Sequence, residues 1–83
     1  MGLKRRPHPR KLAKKLQKIR LSLGLSQNEM LRKLGLEKDY NRSTISGYER
    51  GEREPPLPVI LKYARLVGIS TDILIDDKLK LPR

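Results

Sequence analysis

Leu12, Leu16, Ile19 and Leu23 recur at i, i+4, i+7 and i+11, which places them on one face of a helix. The pattern begins at Arg10, and Gly24 ends it, as glycine tends to just past a helix C-terminus. Ser26-Gln27-Asn28-Glu29 has the form of a capping box: a serine hydroxyl for the first free amides, and a glutamate to reach back. Met30, Leu31 and Leu34 follow as the apolar face of a second helix, and Gly35 stops it. After a polar connection from Leu36 to Asn41, Asn41 is a good cap for a third helix, Arg42 to Arg50. Ile45 and Tyr48 face inward there, and Gly51 ends it. Glu52-Arg53-Glu54-Pro55-Pro56 is a rigid loop. Pro58 then falls in the first turn of a fourth helix, where proline is tolerated. Ile60, Leu61, Ala64 and Val67 give that helix its buried stripe, and Gly68 closes it. Ser70 caps a short fifth helix, Thr71 to about Leu74.

Five short helices joined by short connections predict one all-α domain over residues 10–75. Residues 1–9 read as a flexible basic arm, because Pro7 and Pro9 prevent a helix and nothing there builds a core. Residues 76–83 read as a polar, loose tail in which Leu79 and Leu81 are able to pack. A chain of 83 residues is long enough for one core, and neither a deep cleft nor a separate ligand-sensing domain is expected in it.

Composition narrows the chemistry. There is no cysteine, which excludes disulfides and thiolate metal sites. His8 stands alone, and no acid combines with it in a catalytic or metal-binding pattern, so neither an enzyme nor a cofactor is expected. The longest apolar run, Val59-Ile60-Leu61, is too short to span a membrane. The basic N-terminus is followed by no apolar stretch and does not read as a signal peptide, so the expected location is the cytoplasm, at the nucleoid.

The net charge is +11 and it is unevenly placed. Residues 1–20 hold nine Lys or Arg and no acid, whereas residues 21–54 hold six of each. An excess of this kind suits a polyanion, and phosphate neutralisation with counterion release would give strong, salt-dependent affinity. Lys11, Lys14, Lys15 and Lys18 lie largely off the apolar stripe and read either as a solvated face or as phosphate contacts.

Leu25-Ser26-Gln27, Leu34-Gly35, Ser43-Thr44-Ile45-Ser46, Tyr48-Glu49-Arg50-Gly51 and Pro55 occur in that order. Leu61-Lys62-Tyr63-Ala64-Arg65-Leu66 and Gly68-Ile69-Ser70 follow. The ordered set, from about Ile19 to Leu74, resembles the phage repressor and Cro (XRE) type of helix-turn-helix domain. The resemblance implies a five-helix, lambda-repressor-like fold whose second helix spans the DNA backbone and whose third lies in the major groove. It implies base reading by Arg42, Ser43, Thr44, Ser46 and Gly47, and backbone contact by Gln27, Arg50 and Arg53. Arg42 is the best base reader, since arginine pairs bidentately with guanine. Glu49 and Gly51 match residues that close the third helix and shape the next turn.

Two departures stand out. The connection Leu36-Glu37-Lys38-Asp39-Tyr40-Asn41 is longer than the family's usual turn, and Lys38 or Tyr40 in it is placed to touch the backbone. Gly47 occupies a position where a side chain often reads a base. Arg5, Arg6 and Arg10 are expected to follow the duplex backbone or enter the minor groove.

The function expected is sequence-specific binding of double-stranded DNA in transcriptional regulation, as a homodimer on paired half-sites. Ile73, Leu74 and Ile75, or Leu79 and Leu81, would supply the dimer contact. Three alternatives remain open to the sequence: an antitoxin or other protein-binding module of the same fold, a nonspecific nucleic-acid binder, and a membrane-surface peptide. The last suits the residues least, because Pro7 and Pro9 break any helix in the arm and the first helix has no aromatic residue.

Overall fold

A computed structural model of the chain describes residues 9–82. Its helices are α1 (Leu12–Ser22), α2 (Gln27–Lys33), α3 (Arg42–Glu49), α4 (Leu57–Val67) and α5 (Thr71–Ile75), and no strand occurs among the described residues. In α1 the stripe Leu12, Leu16 and Ile19 is buried as its spacing predicts. Leu23 is not; it lies in the closing turn of the helix and is 40% exposed. The periodicity holds only while the chain is helical, so its last member falls off the core.

The capping box forms in full. Glu29 N donates to Ser26 Oγ at 3.1 Å, and Ser26 N donates to Glu29 Oε1 at 2.7 Å. Those bonds hold the Glu29 carboxyl below the usual carboxylate range. Met30, Leu31 and Leu34 are buried, and Leu36 N donates back across Gly35 to Leu31 O at 3.0 Å. Gly35 takes φ +71°, the left-handed conformation that lets the chain turn there without strain.

The long connection does not hang loose. Leu36 is buried, and its carbonyl accepts from Asp39 N at 3.2 Å and Tyr40 N at 3.0 Å. The extra residues thus form a single turn of their own, pinned by Leu36 and by the half-buried Tyr40 against the core. α2 and α3 still pack on each other.

In α4 the buried residues are Val59, Ile60, Tyr63 and Ala64. The expected stripe is therefore turned, and Leu61 is 38% exposed. Tyr63 is fully buried and is the largest side chain on that stripe. Its hydroxyl has no hydrogen-bond partner among the described residues, and burial pushes the phenol well above its ordinary range.

Two long-range polar contacts complete the fold. α1 begins without a side-chain cap of its own. Asp77 instead ties down the two residues just ahead of the helix: Arg10 N donates to Oδ2 at 2.9 Å and Lys11 N to Oδ1 at 3.0 Å. These bonds hold the Asp77 carboxyl below its ordinary range. Lys15 is buried, and its ammonium donates to Ile73 O at 2.7 Å and Asp76 O at 3.0 Å, covering the last carbonyls of α5. Lys15 therefore leaves the lysine cluster expected to face solvent or phosphate. The segment after Asp76 is tied to α1, and Leu81 packs against the core.

Candidate nucleic-acid interface

The placement of α3 rests on a buried ion pair. Glu49, in its last turn, has a side chain 2% exposed, and Arg20 of α1 is 12% exposed. Arg20 Nε donates to Glu49 Oε2 at 2.7 Å and Nη2 donates to Oε1 at 2.9 Å. Nη1 donates to Leu25 O at 2.9 Å. The planar guanidinium thus joins α1, the start of the helix-turn-helix and the end of α3, with each of its three nitrogens engaged. The bond to Glu49 raises the Arg20 pKa. Gln27 Nε2 also donates to Glu49 Oε1, at 3.3 Å, which holds the Gln27 side chain toward α3. The sequence pointed to Gln27 and Glu49, but Arg20 was missed. The available signal was a charge one position beyond Ile19, on the margin of the apolar stripe.

Asn41 caps α3, its Oδ1 accepting from Ser43 N at 3.0 Å and from the Ser43 hydroxyl. Arg42 and Ser43 are exposed in the first turn, and Ser46 is half-buried one turn on. Thr44 and Gly47 are buried, so neither presents a side chain on the outward face. Thr44 is only 6% exposed. Gly47 lies under Arg53, whose Cδ would be 3.0 Å from a Cβ built on it. The glycine makes room for that arginine to lie flat on α3.

Arg50 is exposed and fixed. It donates to Glu52 through Nε at 3.1 Å and Nη2 at 2.8 Å, and through Nη1 to the Ser46 hydroxyl. The mutual bond raises the Arg50 pKa and lowers that of Glu52. Arg50 therefore lies along the outward face of α3, beside Ser46. Arg10 and Arg53 line one hollow with Tyr48 and Gly51, so the start of α1 and the loop after α3 share a surface. Lys38 is exposed on the turn before α3. Arg5 and Arg6 lie outside the described residues.

The helix-turn-helix family profile matches residues 16–74. The chain belongs to that family. It is 34% identical over 64 residues to the HTH-type transcriptional regulator ImmR of Bacillus subtilis, covering 77% of this chain and 47% of that protein. It is 38% identical over 61 residues to the SPbeta prophage-derived HTH-type transcriptional regulator YonR of the same organism, covering 74% and 53%. The chain thus spans about half the length of these two regulators.

Among solved structures it is similar to the restriction-modification controller protein C.AhdI of Aeromonas hydrophila. That match has 35% identity and a TM-score of 0.64, covering 78% of this chain and 92% of that one. The P22 c2 repressor in complex with a synthetic operator matches at a TM-score of 0.67 over 80% and 94% of the two chains, with 23% identity, and shows the fold alone. The longer turn of this helix-turn-helix chain leaves the family fold intact. Among the described residues no helix is long and apolar enough to cross a membrane.

Proposed function

We propose that this chain is a sequence-specific, double-stranded DNA-binding transcriptional regulator that inserts α3 into the major groove. The observation that carries this reading is the outward face of α3. Arg42, Ser43, Ser46 and Arg50 form a polar face, on a helix held from behind by the Arg20–Glu49 pair. Arg42 and Ser43 are the base readers of this reading, with Ser46 and Arg50 beside them; burial argues against direct base contact by Thr44. Gly47 serves by letting Arg53 lie close. Gln27, Lys38, Arg53 and Arg10 contact the backbone, joined in sequence by Arg5 and Arg6, and set register and affinity. The relatives named as transcriptional regulators support the same reading.

Two copies on paired half-sites would supply the selectivity that one short helix lacks. The exposed Leu57, Leu61 and Ile75 of α4 and α5 support a two-fold contact, whereas Leu74 is fully buried. The setting is the cytoplasm, at the nucleoid, with no cofactor and no catalysis.

Selection from a random duplex library, followed by titration of the winner against scrambled duplex, tests the proposal. The expected gap is about a thousandfold or more. Arg42→Ala should then relax one motif position by about 1–3 kcal/mol. Equal, salt-sensitive binding to every duplex overturns the reading.

A further inference from the structure

A second surface lies on the other flank of α1. With 3.6 residues per turn, Ala13 and Arg20 fall on one side of the Leu12–Leu16–Ile19 stripe. Ala13 is the side-chain neighbour of Gly51 and Arg20 binds Glu49, so this side meets α3 and its following loop. Lys11, Lys15, Lys18 and Ser22 fall on the opposite side. They border a groove of about 850 Å³ formed by α1, the end of α4 and the segment after α5.

The floor of the groove is apolar: Ile19, Val67, Ile69, Leu79 and Leu81. Its margin carries Lys11 just ahead of α1, Lys14 and Lys18 on it, and Lys80 on the C-terminal segment, all four exposed. Lys15 lines it too, but its ammonium is engaged by two carbonyls. Among the described residues no Asp or Glu lines the groove. Apolar floor and lysine margin together fit an amphipathic ligand that carries several negative charges.

We propose that this groove docks an acidic amphipathic helix of a protein partner, its apolar face on the floor and its carboxylates on Lys11, Lys14, Lys18 and Lys80. Four cations around one floor call for several carboxylates, which a single fatty-acid head group does not supply. A recessed floor does not meet a flat bilayer. Duplex DNA has no apolar face to cover Leu79 and Leu81. The chain's own first eight residues carry Lys4, Arg5 and Arg6 and no acid, and a second copy meeting this groove with its own would set one lysine margin against the other. Like charge disfavours both.

The test is an NMR titration of the ¹⁵N-labelled full chain. The probe is an end-capped helical peptide of about 14 residues, Leu at i, i+3, i+4 and i+7 and Glu on the flanks. Saturable shifts at Lys11, Lys14, Lys18, Ile69 and Leu79, with none at Arg42 or Ser43, are expected. The dissociation constant should be on the order of 10–100 μM, as suits a small interface. The same peptide with Lys for Glu should not bind.

Lys14→Glu with Lys18→Glu turns two attractions into repulsions and should weaken binding about tenfold. Both residues are exposed, so the fold should hold, checked by a thermal melt; Lys14→Ser with Lys18→Ser is the milder second pair. Separate titrations use phosphatidylglycerol vesicles, oleate and random duplex. No saturation by about 1 mM, equal binding of the lysine peptide, shifts centred on α3, or indifference to the charge reversal overturns the proposal. Stronger perturbation of these lysines by vesicles, oleate or duplex than by the acidic peptide overturns it as well, and names the occupant instead. None of these outcomes depends on whether α3 reads a DNA sequence.

Discussion

Arg20→Ala deletes three donors at once: Nε and Nη2 from Glu49, and Nη1 from the Leu25 carbonyl. Glu49 is left with a side chain 2% exposed and a single 3.3 Å bond from Gln27. Stranding one charge of a buried pair costs about 3–5 kcal/mol. At roughly 0.05–0.15 kcal/mol per residue, the whole domain is worth about 4–12 kcal/mol. The single variant should therefore lose a large part of its stability, read as a lower urea midpoint by circular dichroism. Replacing both partners by apolar residues of similar volume, Arg20→Met with Glu49→Leu, removes the stranded charge. The double variant should recover to within about 1 kcal/mol of the parent. DNA affinity should not recover with it, since Gln27 loses the acceptor that orients it; a loss of about tenfold is expected by fluorescence titration. If the double variant is as unstable as the two singles added together, the pair is not the coupled unit described here. If it binds duplex like the parent, Gln27 is not positioned through Glu49.

Three other outcomes follow from the same geometry. Gly47→Ala should leave stability within about 1 kcal/mol by urea unfolding, because the helix propensity gained opposes the shift forced on Arg53, while DNA affinity falls. Lys15→Met should cost about 1.5–3 kcal/mol and speed amide exchange in α5, whose last carbonyls lose their cation. Asp77 has a lowered pKa in the fold, so its contribution is whole above about pH 4, near the unfolded value, and disappears as pH falls through the folded value. Asp77→Ala should therefore lower the thermal midpoint at neutral pH, and the gap to the parent should close in acid.

Signals carried by neighbouring residues were legible in the sequence. The Ser26–Glu29 box, the Asn41 and Ser70 caps and the terminating glycines all act within a turn or two, and all five helices lie where they predict. Distant partners were not legible. Lys15 looked like one of four surface lysines, and only the fold brings it to carbonyls 58 and 61 residues away. Asp77 looked like solvated tail, although α1 opens on Pro9-Arg10-Lys11 with no residue able to cap it. A helix start without a cap is a signal to search elsewhere in the chain for a group that ties it down. On α3 the family resemblance named positions, but burial sorts them: Arg42 and Ser43 face out, Thr44 faces in, and Gly47 belongs to Arg53. The turn of α4 by one residue shows why spacing alone is weak when apolar residues are adjacent.

The clasp between Asp77 and the amides of Arg10 and Lys11 joins segments 66 and 67 positions apart. The margins of a domain are ordinarily where its structure opens first and independently. In this chain the start of α1 and the segment after α5 are each other's partner, so fraying at either margin takes two hydrogen bonds from the other. The two ends of the helical domain are thereby coupled, although five helices separate them in sequence.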